Sequence, residues 1–361
     1  MTDTPPVRAF EPVDWEFAET VSHRVAGHDP LGDSYHRRSL EQDFSDATAK
    51  AADLVADFTG LTPSVDVAAG RVVSRQEWAT LNLRSFRTLL DPVTERLGER
   101  VGRSPAMRIG RRVAGAEAGA LLGWFGRRVL GQYDLFDGGA DPDGVGSVYY
   151  VGPNVLALES RHGFPPRAFR LWIALHEVTH LVQFTGVPWM REYFLGLIDE
   201  SLQALDPDPA RLVRALGEVL EKLRAGKNPL DDGGLVSLLA SPEQREILGR
   251  IQALMSLLEG HGNYVMDRLG ADHVEGKDHM AAVLRERRNA RGVSRQVQRA
   301  MGVELKLRQY SVGESFFDAV EEAAGTTALE ALWAGPESLP TLSELGDARR
   351  WVERVGAAVR P

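Results

Sequence analysis

Hydrophobic residues recur at the three- and four-residue spacing of an amphipathic helix along most of the chain, and this pattern predicts a mainly helical fold. The predicted helices cover residues 15–26, 44–58, 75–97, 114–130, 167–185, 192–205, 210–225, 242–269 and 341–359. Gly60 follows the second helix in the position of a C-terminal cap, and Pro92 is expected to kink or divide the third. The residues of that third helix expected to face a core are Trp78, Leu81, Phe86 and Leu90.

Residues 147–151 are the best candidate for a β-strand, because Val148, Tyr149 and Tyr150 are β-branched or aromatic. A loop rich in glycine and aspartate precedes them at residues 137–146, and Pro153 ends the strand or places it at a sheet edge. The chain is therefore expected to be mainly α with a small β-sheet, which is an α+β fold.

Small residues recur in the helix predicted at residues 114–130, where the glycines are Gly115, Gly119, Gly123 and Gly126. A phosphate-binding loop would need a preceding strand and a glycine-rich turn, and the sequence has neither at this position. The spacing instead predicts a close contact with a neighbouring helix.

The composition restricts the chemistry that the chain can perform. It has 361 residues and no cysteine, which excludes disulfides, thiol catalysis and metal sites with cysteine ligands. Any metal must therefore be held by histidine and carboxylate groups. Lys plus Arg is 42 and Asp plus Glu is 51, so the formal net charge is -9, which argues against a general nucleic-acid-binding protein.

The length is compatible with up to two domains. We expect a helical region at residues 1–110, either as a subdomain or as part of one core, and a catalytic region at residues 111–361. The sequence has no signal-peptide pattern and no apolar run of membrane-spanning length, so we expect a cytoplasmic protein without a membrane segment. Residues 285–299 form a basic strip, which is interpreted as a solvated helix face or as an anion- or partner-binding surface.

The helix predicted at residues 167–185 carries His176, Glu177 and His180 in an HExxH motif. Residues four apart lie above one another on a helix, so the two imidazoles can reach the same metal ion. Glu177 lies about a quarter-turn away, where its carboxylate can act as general base toward a water molecule. The motif is flanked by apolar residues, and three ionisable groups there would be costly without a metal or a partner. The sequence therefore predicts a Zn²⁺ site with His176 and His180 as ligands.

A catalytic zinc has three protein ligands, and no further histidine follows His180 closely. Glu259 follows an apolar stretch of the helix predicted at residues 242–269, and it is the preferred third ligand. Asn263 shares its helix face one turn later and could hydrogen-bond a ligating histidine. His261 lies about 200° from Glu259 on an ideal helix, and it is the alternative ligand if the helix is distorted there.

Several segments of the chain resemble, in order, an actinobacterial zincin-like family whose members are assigned as zinc-dependent metalloproteases or hydrolases. One branch of that family is associated with biosynthesis of the deazaflavin coenzyme. The likeness extends from Trp15 over nearly the whole chain. The segments that carry it are RRVLGQYDLF (127–136), YYVGPNVLALE (149–159), FRLWIALHEVTH (169–180), LLEGHGNYVMD (257–267), KLRQY (306–310) and WAGPESLPTLSEL (333–345). The resemblance implies a mostly helical zincin-like fold with a zinc site on its active-site helix.

Three hypotheses on function follow from the motif and the resemblance. The first is a zinc metallopeptidase in which Glu177 is the general base and Tyr310 or His261 donates to the oxyanion. By analogy with zincins, the strand at residues 148–151 would pair with an extended peptide. The second is a zinc hydrolase of a small amide in coenzyme metabolism, because the basic strip would suit an anionic substrate. The third is a non-catalytic scaffold of the same fold, which would not need Glu177. The oligomeric state is left open.

Overall fold

Helices form most of the part of the chain that the structure describes. The structure is a computed structural model, and it describes residues 11–29, 35–64, 67, 70–98, 105–136, 146–204, 241–289 and 303–358. The α-helices are α1 (Trp15–Ala26), α2 (Tyr35–Thr59), α3 (Arg75–Gly98), α4 (Pro105–Gly126), α5 (Gly152–His162), α6 (Pro166–Gly186), α7 (Met190–Gln203), α8 (Pro242–His273), α9 (Lys277–Asn289), α10 (Val303–Ala324), α11 (Leu342–Leu345) and α12 (Ala348–Ala358). Two 3₁₀ helices cover Thr326–Trp333 and Pro336–Ser338, and the strands are β1 (Arg71–Val73), β2 (Gly131–Asp134) and β3 (Ser147–Val151). This composition of elements confirms the predicted α+β class.

Most of the predicted elements are confirmed, although their ends move. Helix α1 and strand β3 have the predicted bounds, and Gly60 follows α2 with a φ of 69°, a left-handed conformation that suits glycine at a helix end. Helix α3 continues through Pro92, so Pro92 does not divide the helix, and a kink at Pro92 stays a prediction. The helix predicted at residues 210–225 lies outside the described residues.

The Cα positions group the chain into two compact units. The first contains residues 1–57 and 63–181, and the second contains residues 58–62 and 182–361. The division falls within α6, so this helix contributes most of its length to the first unit and its last turn to the second. The predicted domain boundary near residue 110 stays a prediction.

In the first unit, the described strands form a mixed three-stranded sheet with the order β1-β3-β2. Strand β3 is central: it pairs in parallel with β1, and antiparallel with β2 in a register that places Gly131 opposite Tyr150. One face of the sheet packs Tyr149 against Trp78 in a hydrophobic cluster. On the other face, the ring of Tyr150 stacks on Phe44 with centroids 3.9 Å apart.

The apolar face of α3 differs from the predicted one in one residue. Trp78 is buried as expected, but Phe86 is 46% exposed, so its assignment to the core is wrong. The buried residues of α3 include Ala79, Asn82 and Leu83, which lie on the side of the helix near Trp78. The helical angle does not explain this exposure, because eight residues at 100° per residue place Phe86 about 80° from Trp78, within the same sector as the buried residues.

Helices α1 and α4 approach each other closely, as the glycine spacing predicts. A Cβ atom at Gly119 or Gly123 would clash with the backbone of α1, and one at Gly115 would clash with the backbone of Asp14, the residue before α1. At Gly119 the added atom would collide with the carbonyl group of Ala18 and lie 3.0 Å from the Cβ of Val21. Backbone atoms cannot yield without moving the whole helix, so these glycines set the distance between α1 and α4.

The second unit contains a similar close contact between α8 and α10. A Cβ atom at Gly260 would lie 2.6 Å from the Cα of Gly313, so the two backbones touch at a point next to Glu259. A hydrophobic cluster that includes Leu254, Leu258 and Met190 holds α7 against α8.

Within the described part of the chain, no helix is both long enough and apolar enough to cross a bilayer.

The helix contact at Gly119 generates a prediction on stability. We expect Gly119→Ala to lower the free energy of unfolding by about 1–3 kcal/mol, because the added methyl group overpacks a backbone contact. Gly110 lies on the same helix with open space around its Cα, so Gly110→Ala is the matched control. It is expected to raise stability by about 0.5–1 kcal/mol through helix propensity. Urea denaturation of both variants measures the difference, and equal effects of the two changes would contradict the packing explanation.

Candidate metal centre

The HExxH motif lies in the middle of α6, on a helix whose neighbouring side chains are mostly apolar. Leu175, Val178 and Val182 are fully buried. Glu177 is 7% exposed, and His176 and His180 are half-buried. The predicted helix therefore carries its ionisable groups into the interior of the protein, where each of them needs a partner.

The two histidines of the motif present their Nε2 atoms to the same point. These atoms are 3.2 Å apart, and the two rings are nearly perpendicular, with centroids 4.7 Å apart. Two ligands of a tetrahedral zinc, at Zn–N distances of about 2.0–2.1 Å, are separated by about 3.3 Å. The spacing of the two nitrogen atoms thus fits a zinc ion, because both lone pairs can then be used by one cation.

Glu259 completes a group of three side chains of the types that bind metals. One ligand atom from each of His176, His180 and Glu259 lies within 4.8 Å of the others. Two imidazoles and one carboxylate are a typical donor set for a catalytic zinc with one open position. The structure therefore brings together the three residues that the sequence selects, and their role as ligands stays a prediction.

His261, the alternative third ligand, has a different environment. Its ring is buried and packs against Phe317 and Trp333, with centroid distances of 5.1 and 4.9 Å. Its Nδ1 atom is 2.9 Å from Nε2 of Gln183. Nε2 is the amide nitrogen of Gln183, and it also donates to the carbonyl oxygen of Leu258 at 3.1 Å. Nδ1 of His261 is therefore the acceptor. One ring nitrogen of His261 is thus already used by a protein contact.

Gln183 contacts residues of the candidate site, and the sequence analysis missed it. It is fully buried, and its amide links the last turn of α6 to the turn of α8 that contains Glu259 and His261. A signal was present in the sequence, because Gln183 lies three residues after His180 and shares its helix face. A polar residue on that face of an apolar helix needs a buried partner.

Two further predicted site residues remain predictions. Asn263 is 6% exposed, and its Nδ2 atom has no hydrogen-bond partner among the described residues; its contact with a ligating histidine stays a prediction. Tyr310 belongs to α10, but its side chain lies outside the described part of the structure, as does most of the basic strip at residues 285–299.

The carboxylate of Glu177 lies against the sheet of the first unit. A Cβ atom placed on Gly131, in β2, would be 2.7 Å from Oε1 of Glu177. Burial, followed by the charge of Glu177, raises the pKa of the Tyr150 phenol, while the hydrogen bond with Thr48 lowers it. The net direction is upward, so Tyr150 stays neutral beside the carboxylate.

The strand at residues 148–151 cannot pair with a substrate, and this expectation is wrong. Strand β3 has neighbours on both sides, so its backbone groups are used within the sheet. Among the described strands, β2 is an edge strand, and it is also the strand beside Glu177. The sequence could not indicate this, because β2 has only four residues and no alternating hydrophobic pattern.

The chain is similar to known proteins both in sequence family and in fold. The family model described as zincin-like metallopeptidase matches residues 13–352. A crystal structure of a candidate hydrolase with a novel fold from Chloroflexus aurantiacus is similar over 95% of this chain and 99% of that chain, with a TM-score of 0.70 and 28% sequence identity. Among functionally curated proteins, no sequence matches the chain.

The contacts of Gln183 predict an effect on metal affinity. We expect Gln183→Met to weaken zinc binding by about 10- to 100-fold, the usual cost of losing an outer-shell contact, because the turn that carries Glu259 loses its hydrogen bond to α6. Zinc affinity is measured by competition with a chromogenic chelator. Asn82→Leu is the control, since it removes a buried amide contact to Gln132 on the other face of the sheet. Equal zinc affinity of wild type and Gln183→Met would contradict the role of Gln183.

Proposed function

Because the chain belongs to the zincin-like metallopeptidase family, we propose that it is a zinc-dependent peptidase in which His176, His180 and Glu259 hold the metal. The observation that carries the proposal is the group formed by these three side chains. The similarity to a candidate hydrolase over nearly the full length of both chains supports hydrolysis as the type of reaction.

Zinc at this site would supply Lewis acidity, which lowers the pKa of a water molecule and polarises the carbonyl group of the substrate. Glu177 is the general base of the proposal. Its carboxylate accepts a proton from the attacking water, holds it at a carboxylate oxygen, and returns it to the leaving amine. The burial of Glu177, which is 7% exposed, supports this role, because exclusion of bulk water limits the loss of the proton to solvent.

His261 is the donor proposed for the oxyanion. Gln183 donates to Nδ1 of His261, so the neutral imidazole carries its proton on Nε2 and can donate from there. Packing against Phe317 and Trp333 holds the ring in one orientation. Tyr310 remains the second candidate for this role.

The proposed substrate is a peptide in extended conformation that pairs with the edge of β2. The amide of Val151 donates to the carbonyl of Leu130 at 2.9 Å, so the next pair, Gly131 with Tyr150, is a non-hydrogen-bonded pair. The N–H and C=O groups of Gly131 therefore point away from β3. A small anionic amide of coenzyme metabolism is the alternative substrate that the experiment below separates from a peptide.

The general base generates the central prediction. We expect Glu177→Gln to lower kcat by about 10²- to 10⁴-fold, the usual contribution of general acid–base catalysis, while zinc content stays at the wild-type level. Activity is measured on a peptide library by mass spectrometry, with zinc-loaded and chelator-treated wild type in parallel. His176→Ala is the control for the metal and is expected to lose zinc.

Each outcome selects among the hypotheses. Zinc-dependent cleavage that disappears in Glu177→Gln supports a peptidase. Zinc binding without cleavage of any peptide, but with hydrolysis of small anionic amides, would replace the peptide by the alternative substrate. Zinc binding with neither activity would leave a scaffold and overturn the proposal.

A further inference from the structure

Gly131 lies where the side chain of any other residue would occupy the space of the Glu177 carboxylate. A Cβ atom at this position would be 2.6 Å from Cγ, 2.8 Å from Cδ and 2.7 Å from Oε1 of Glu177. Non-bonded carbon atoms prefer a separation of about 3.5–4.0 Å. The missing side chain of Gly131 thus leaves the space that the end of Glu177 fills.

Backbone conformation does not explain the glycine. The glycines with a positive φ among the described residues are Gly27, Gly60, Gly146, Gly163, Gly276 and Gly325, and Gly131 is not one of them. Glycine within a strand lowers stability, because it loses more conformational freedom and offers no side chain for packing. The benefit of Gly131 must therefore come from the space beside its Cα.

The direction of that space follows from the register of the sheet. Gly131 is opposite Tyr150 in an antiparallel pair, so the side-chain positions of the two residues are on the same face of the sheet. Tyr150 is close enough to Glu177 for the charge of the carboxylate to raise its pKa. The carboxylate thus lies against the face of the sheet that carries the side-chain positions of Gly131 and Tyr150.

We propose that Gly131 is a positioning residue for the general base: the absence of its side chain allows the Glu177 carboxylate to rest against β2. The inference rests on the proposed function, because it assigns Gly131 a role in the reaction of Glu177. A general base must lie within hydrogen-bond distance of the proton that it takes, and a displacement of about 1 Å can cost about 10²-fold in rate.

A substitution at Gly131 separates catalysis from stability. The three closest atoms to an added Cβ all belong to the flexible end of Glu177, so the carboxylate yields and the backbone does not. We expect Gly131→Ala to retain the melting temperature and zinc content of the wild type while kcat falls by about 10- to 100-fold and KM changes less than threefold. Gly196→Ala is the matched control, because Gly196 is an exposed glycine with open space around it, and it should change neither kcat nor KM.

A double-mutant cycle shows whether the effect acts through Glu177. Glu177→Asp shortens the side chain by one methylene group and withdraws the carboxylate from the position of the added Cβ. In that background, we expect Gly131→Ala to lower kcat less than threefold further. A full additional loss of kcat, or a rise in KM in both backgrounds, would show that Gly131 acts on the substrate instead and would overturn the inference.

A crystal structure of Gly131→Ala supplies a readout that is independent of activity. We expect the Glu177 carboxylate to move by about 1 Å or more, in keeping with the distances needed between non-bonded carbon atoms, while β2 and α6 keep their positions. An unmoved carboxylate, or a shift of β2 instead, would refute the inference. Absence of zinc-dependent activity in the wild type would refute the proposed function alone. The crystal structure tests the position of the Glu177 carboxylate whether or not the protein is active.

Discussion

The structure depends on one electrostatic constraint: three ionisable side chains lie within five residues of a buried, apolar helix. Burying a polar or ionisable group costs free energy unless it is hydrogen-bonded, paired or bound to a metal. His176 and His180 meet this cost by directing their nitrogen atoms to a common point 3.2 Å apart, which a single cation can satisfy. Glu177 is held against the sheet, and the phenol of Tyr150 beside it stays neutral, so no second buried charge is added. The packing of α6 therefore has to supply a partner for each of these three side chains.

Polar groups at this centre have contacts of two kinds. Gln183 uses a hydrogen-bonding contact, because its amide donates both to the backbone of α8 and to His261. This single side chain determines which nitrogen of His261 carries the proton. Gly131 provides a steric contact, because it leaves space where a side chain would displace the carboxylate. Neither residue belongs to the motif, and the role proposed for both is to position other groups rather than to take part in the chemistry.

Glycine serves two separate physical purposes in this protein. In the contact of α1 with α4, and of Gly260 with Gly313, a side chain would collide with backbone atoms, so glycine determines how closely two elements approach. At Gly131 a side chain would collide with the flexible end of another side chain. The first purpose concerns stability, since a helix must move to relieve the clash. The second concerns the position of a functional group, since a rotation about side-chain bonds relieves the clash at little cost.

The sequence by itself determined the helical class, the strand Ser147–Val151, the close contact at Gly119 and the motif of His176, Glu177 and His180. These features are local: helical period and the four-residue spacing of the histidines follow from the geometry of one element. Glu259 was also selected from local pattern, as a carboxylate after an apolar stretch. The tertiary structure alone decided that β3 is central, that Phe86 is exposed, that Gln183 contacts Leu258 and His261, and that Gly131 lies against Glu177. Strands of three or four residues such as β1 and β2 are too short to show a period, and their place in the sheet is set by pairing with residues distant in sequence. The space around Glu177 likewise depends on the contact between α6 and β2, and no sequence pattern within either element predicts it.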